Sequence, residues 1–130
     1  MIKKTKFIAR EGLLRIKYMT TKNCIFCKIV SGEIKNTKIV DGEEVLAFAD
    51  VNPVAETHVL IIPKKHIDSV LTLEASDGQV LAAMHMAATK IVKEKKLDSF
   101  RLAINGGKFQ HVGHLHMHLL AGSKIDFKKL

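Results

Sequence analysis

His114-Leu115-His116-Met117-His118-Leu119-Leu120 sets three histidines in strict alternation with apolar residues near the end of the chain. A period of two belongs to a β-strand, where residues i, i+2 and i+4 leave one face about 6.5 to 7 Å apart and their neighbours leave the other. The spacing predicts a strand over residues 114–120, with three imidazoles in a row on one face and Leu115, Met117 and Leu119 entering a core on the other. Two chemistries stay open on the pattern alone, because such a row can attack and shuttle protons or can hold a metal such as zinc. A merely structural role is harder to sustain, since three buried rings need several hydrogen-bond partners at once.

Upstream, the apolar pattern changes period repeatedly. Cys24-Ile-Phe-Cys27-Lys-Ile-Val predicts a short helix stopped near Gly32. Residues 39–48 predict two short strands joined at Asp41-Gly42, a dipeptide favoured in hairpins whose central residues need positive φ. Residues 58–63 predict a strand closed by Pro63, which cannot continue a ladder. Ser76-Asp77-Gly78-Gln79 matches a capping box, after which Val80, Leu81, Met84, Ala87, Ala88, Ile91 and Val92 recur at three- and four-residue steps as one helical stripe reaching about Lys96. Residues 100–104 predict a further strand and residues 105–113 a loop. Strands on both sides of one long helix, without a βαβ rhythm, imply an α+β fold with an antiparallel sheet of about five strands, one long helix and one short one.

At 130 residues and 47% hydrophobic composition the chain has the size and balance of one globular domain. Its apolar runs reach only four or five residues, which argues against a membrane span or a secretory signal and for a cytoplasmic protein. The net charge of +8 is uneven: residues 1–18 carry six cations against Glu11 alone. That excess marks a basic extension, expected to be disordered or artefactual, ahead of a domain spanning residues 19–130, and it leaves no basic face for nucleic acid. Asn105-Gly106-Gly107-Lys108 lacks the rest of a phosphate loop, so phosphate chemistry would fall to the histidines.

The histidine motif resembles the signature of the histidine triad superfamily of nucleotide hydrolases and transferases. Cys24-Ile-Phe-Cys27-Lys-Ile-Val-Ser-Gly-Glu-Ile, Leu46-Ala-Phe-Ala-Asp50-Val-Asn-Pro53, Thr57-His58-Val-Leu-Ile-Ile-Pro63-Lys-Lys-His66-Ile and Arg101-Leu-Ala-Ile-Asn105 are similar, in order and spacing, to its Hint branch, and the likeness covers about residues 22–122. The resemblance implies the fold of that superfamily as a two-fold homodimer. It implies that His116 attacks the α-phosphorus of a purine nucleotide and forms a nucleotidyl-histidine that water cleaves, with no metal needed for catalysis. A backbone carbonyl near His114 would fix the tautomer of His116, and His118 would stabilise the phosphoryl oxygens. Asp50 would accept the ribose hydroxyls, Asn105 and Gln110 would hold sugar and phosphate, and Phe26, Ile29, Phe48 and Leu60 would wall the base.

Two thiols three positions apart make half a zinc site. The resemblance implies that His58 and His114 complete it as a structural Cys24, Cys27, His58, His114 set; the alternative is two buried apolar cysteines. His66 and His85 read as structural or surface residues. Where Hint enzymes carry a serine that protonates the leaving group, this chain has His111, which could donate that proton near neutral pH. The implied activity is hydrolysis of purine nucleoside 5′-phosphoramidates or similar adenylylated compounds. Diadenosine polyphosphate hydrolysis, nucleotide binding with little turnover, and a zinc-stabilised relative that processes DNA ends stand beside it, the last without the added zinc finger and basic surface it would need.

Overall fold

A computed structural model describes residues 23–122 of the chain. The basic extension at residues 1–18 lies outside them.

Five strands form one antiparallel sheet: β1 (Lys38–Asp41), β2 (Val45–Ala49), β3 (Thr57–Pro63), β4 (Arg101–Ala103) and β5 (Met117–Ala121), in the order β1-β2-β3-β5-β4. Among the described residues two α-helices accompany it, α1 (Ile25–Ser31) and α2 (Gly78–Glu94). The register fixes what each face carries. Leu60 lies opposite His118 and Phe48 on its two neighbours, while Ile61 lies opposite Met117 and Ala47. Because partners share a face and the pleat alternates, odd positions 59 and 61 join Met117 and Leu119 on one side, and even positions 58, 60 and 62 join His118 on the other.

The first face packs under α2. Val80, Met84, Ala87, Ala88 and Ile91 from the helical stripe meet Val45, Ala47, Val59, Ile61, Leu115, Met117 and Leu119 in one buried cluster. Met84 and Leu119 are wholly buried, and residues of their size contribute about 1.5–3 kcal/mol each when removed from water. The opposite face holds a smaller cluster in which α1 lays Phe26, Cys27 and Ile29 on Leu46, Phe48, Leu60 and Ile62. α1 stops at Gly32, whose φ of 88° gives the left-handed cap that residues with a β-carbon rarely adopt.

Three local readings change. The β1–β2 turn runs through Glu43 and Glu44 and closes with the Gly42 amide donating to the Val45 carbonyl at 2.9 Å. Neither Asp41 nor Gly42 has positive φ, so the longer connection removes the demand that a two-residue turn would impose. At the start of α2 the expected Ser76–Gln79 box is replaced by Asp77. Its buried carboxylate accepts from the Glu74 amide at 2.9 Å and from Lys65 Nζ at 2.7 Å, which together hold it below the usual carboxylate range. Finally, β5 begins at Met117, so His114, Leu115 and His116 precede the ladder; β4 pairs only from Ala103 opposite His118 onward. Their alternation is kept without ladder bonds: the Leu115 amide donates to the Ile67 carbonyl at 2.7 Å, and Leu115 joins the α2 core.

Candidate functional site

The triad lies on the α1 side of the sheet, with His114 and His116 buried and His118 half-buried. His116 Nδ1 is 2.7 Å from the His114 carbonyl oxygen, which can only accept, so the neutral ring carries its proton on Nδ1. The lone pair is then on Nε2. Phe26 of α1 sets its ring edge-on to His116 with centroids 5.2 Å apart and to Phe48 at 5.6 Å. Ile29 and Leu60 are buried in the same cluster, so the four expected base-wall residues are contiguous beside the triad.

His58 and His118 form a second unit. The Val54 amide donates to His58 Nδ1 at 3.1 Å, which leaves the proton of this imidazole on Nε2. From there it faces His118 Nδ1 at 2.9 Å and Asp50 Oδ2 at 3.2 Å. His118 Nδ1 accepts, so His118 keeps its own proton on Nε2 and is a neutral donor. Burial, reinforced by His116 and His58 and opposed by Asp50, pushes the His118 pKa down to about 4. Burial also lowers that of His58, again against Asp50. Asp50, His58 and His118 lie close enough together to suggest a metal site. The tautomer argues otherwise, because a ligating Nε2 needs its lone pair and that of His58 carries the proton.

His58 therefore does not complete the cysteine site, and His66 takes its place. Cys24, Cys27, His66 and His114 bring one donor atom each within 4.8 Å of one another. The reason is strand length: His114 binds at the Pro63 end of β3, and His58, five residues earlier, is about 16 Å back along the strand. The chain turns after Pro63 and returns His66 to that end. Cys24, the N-cap of α1, accepts the Cys27 amide on Sγ at 3.2 Å.

The donor set fits zinc. His114 Nε2 donates to the Pro63 carbonyl at 2.9 Å, leaving the Nδ1 lone pair 3.4 Å from Cys24 Sγ and 3.6 Å from Cys27 Sγ. His66 Nε2 donates to Asp68 Oδ1 at 2.8 Å, leaving its Nδ1 3.1 Å from Cys27 Sγ. A tetrahedral zinc with ordinary bond lengths separates sulfur from nitrogen by about 3.5 Å, and ligating histidines commonly donate their far nitrogen to a carbonyl or carboxylate. Burial pushes the His114 pKa down to about 4, which keeps the ligand nitrogen unprotonated at neutral pH. No disulfide joins the two cysteines.

The remaining candidates are placed unevenly. Asp50 Oδ1 accepts the Asn52 amide at 2.8 Å in a tight turn, and its second oxygen faces His58. Asn105 is half-buried just past β4. Gln110 is not turned to the triad: its Nε2 donates to the Asp68 carbonyl at 2.8 Å and the Val112 carbonyl at 2.9 Å, so both its N–H groups tie two loops together. His111 is exposed, borders a cleft with Cys24, His66 and Asp68, and lies near enough to depress His118. Sequence reasoning missed His66, Asp68 and the Val54 amide. Only His66 carried a signal, as a histidine three residues beyond the strand-ending Pro63.

Known proteins place this geometry. Residues 23–129 match the family model described as "Scavenger mRNA decapping enzyme C-term binding". The adenosine 5′-monophosphoramidase HNT1 of Saccharomyces cerevisiae is 36% identical over 122 residues, covering 85% of this chain and 75% of its own. The 14 kDa zinc-binding protein of Zea mays is 38% identical over 108 residues, or 79% of this chain and 84% of its own. A histidine triad protein from Clostridium difficile superposes with a TM-score of 0.79 at 45% identity, covering 83% of this chain and 97% of that one. With the matched sequence, the matched fold and the alternating histidines on one sheet face, the chain belongs to the histidine triad family.

Proposed function

We propose that this protein hydrolyses purine nucleoside 5′-phosphoramidates or similar adenylylated compounds through a covalent nucleotidyl-histidine. The observation that carries the reading is the 2.7 Å hydrogen bond from His116 Nδ1 to the His114 carbonyl, which frees Nε2 as a neutral nucleophile. Nε2 bonds to the α-phosphorus as the phosphorus–nitrogen bond breaks, and the departing amine takes a proton, a role assigned to the exposed His111. Water then attacks the phosphorus and releases the nucleoside monophosphate and His116. His118, a neutral Nε2–H donor, bonds a phosphoryl oxygen as charge develops there. Phe26, Ile29, Phe48 and Leu60 form the apolar side of the site, and Asp50 and Asn105 are assigned to the sugar. The yeast relative named as a monophosphoramidase supports this substrate class.

Zinc on Cys24, Cys27, His66 and His114 is assigned a structural role, since four protein donors leave no ligand position for substrate. The maize relative named as zinc-binding supports it. The protein is assigned to the cytoplasm as a homodimer.

The test is parallel incubation with adenosine 5′-phosphoramidate and diadenosine polyphosphates, with and without a chelator present during the assay, with products separated by chromatography. Adenosine monophosphate from the phosphoramidate at a higher kcat/KM is the expected result. Preference for the polyphosphates would move the protein to that substrate class. His116→Ala should abolish turnover while nucleotide binding stays within about tenfold, because it removes the nucleophile and little ground-state contact. Near-wild-type turnover in the pure variant would sink the covalent mechanism.

A further inference from the structure

The thiol–imidazole cluster and the triad share a residue, and the sharing is directional. His114 offers its ring to Cys24 and Cys27 and its carbonyl to His116. That carbonyl belongs to the 114–115 peptide, whose other side, the Leu115 amide, donates to the Ile67 carbonyl at 2.7 Å. Ile67 sits between His66, a member of the cluster, and Asp68, whose side chain braces His66 and whose carbonyl accepts from Gln110. From the third side, α1 carries both cysteines and Phe26, the ring packed edge-on to His114 at 5.8 Å and His116 at 5.2 Å. Two other segments therefore meet the stretch that orients His116, residues 66–68 at its peptide and α1 at its rings, and each supplies members of the cluster.

We infer that the Cys24, Cys27, His66, His114 cluster, when it holds zinc, positions the nucleophile by locking the 114–115 peptide plane that aims His116 Nε2. This rests on the proposed reaction for its kinetic consequence but not for its structural one. Cys24, Cys27 and His66 are positioning residues under this inference; none of them touches substrate. The lock works through geometry: the His114 ring is bonded on its far side to the Pro63 carbonyl, so fixing Nδ1 holds the ring at both nitrogens, while the Leu115 amide, bonded to Ile67 beside the ligand His66, holds the plane of the peptide. The larger core under α2 involves none of the four residues, so the fold can outlast a released lock. Misplacement of a nucleophile by about 1 Å is enough to cost on the order of a hundredfold in rate.

The experiment compares the full zinc-loaded chain with the same protein stripped by a chelator and then reloaded with zinc or cadmium. Metal content is measured by emission spectroscopy, the histidine tautomers by long-range proton–nitrogen NMR, and kcat and KM on adenosine 5′-phosphoramidate. The stripped protein is expected to keep dispersed methyl signals but to lose the protected Nδ1 proton of His116, with kcat down at least about tenfold and KM within about threefold. Either metal should restore that proton. Asp68→Asn, an exposed change that leaves all four donors in place, should weaken zinc binding about 10–100-fold, with the His116 signal returning at saturating zinc. An unchanged His116 signal and kcat without metal overturns the inference. So does a wild type that takes up no zinc, or one that unfolds globally on stripping, since the cluster would then serve stability alone. A zinc-dependent His116 signal in a protein without turnover or adduct would instead remove the proposed reaction and leave the positioning role standing.

Discussion

The Val54 amide settles which nitrogen of His58 carries the proton. By donating to His58 Nδ1 it sends that ring's proton to Nε2 and, through the 2.9 Å contact, makes His118 a donor at its own Nε2. Both rings are held neutral by burial, and this has a pH signature. An unfolded histidine titrates near 6.5, so a folded pKa near 4 means that the unfolded chain binds the proton first as pH falls. The stabilising effect of the unprotonated ring is present above about pH 6.5 and is lost as pH drops toward 4. For His118, which solvent partly reaches, the loss is on the order of 2 kcal/mol. Urea unfolding at pH 7.5, 6 and 4.5 should show a smaller acid-side loss in His118→Gln than in wild type. Equal losses would mean that His118 is protonated as easily in the folded protein as in the unfolded one.

At the scale of elements, the entry to α2 is held by one carboxylate. Asp77 accepts the Glu74 amide and the Lys65 ammonium, and Lys65 follows β3 by two residues, so the bond joins the strand exit to the helix start. Asp77→Ala should lower stability by about 1–2 kcal/mol, measured by urea midpoint, because the Glu74 amide and the half-exposed Lys65 ammonium both lose the buried carboxylate they share. Ser76→Ala should be nearly silent. The box that forms lies two residues earlier than the expected one: Asp77 accepts the Glu74 amide in the turn before α2 and makes no side-chain bond to the helix's own first amides. Local spacing explains the histidines only in part. Alternation in residues 114–120 showed which side chains share a face, and the apolar stripe of residues 80–92 showed where the core lies. Neither period reports register. Once Leu60 pairs with His118, His58 belongs beside that histidine and away from the cysteines, but the pairing is a long-range fact that local spacing does not contain. The turn at Asp41-Gly42 was legible as a turn; its length was not.

The whole molecule has an exposed flank where β4 closes the sheet. Phe100 and Ile104 border this edge strand and are 45% and 39% exposed, and an uncovered edge flanked by large apolar residues is a site for pairing with another chain. Sedimentation at micromolar concentration should give twice the mass of one chain, and a monomer would assign the flank elsewhere. Elemental analysis should find about one zinc per chain, absent in Cys24→Ser, with stability lower by several kcal/mol without it. A wild type equally stable and free of metal would make the cysteines ordinary core residues. The alternation that runs through residues 115–119 into β5 shapes how such a chain can change over time. Leu115, Met117 and Leu119 enter the packing under α2, while His116 and His118, their immediate neighbours, contribute nothing to it. Adjacent codons thus answer to separate selective pressures, folding at one and chemistry at the next. A lineage could lose the histidines at positions 116 and 118 and inherit an intact scaffold, whereas deletion of Leu115 would leave the ladder from Met117 in register and draw His114 toward the apolar face, costing the core and the cysteine cluster a residue at once.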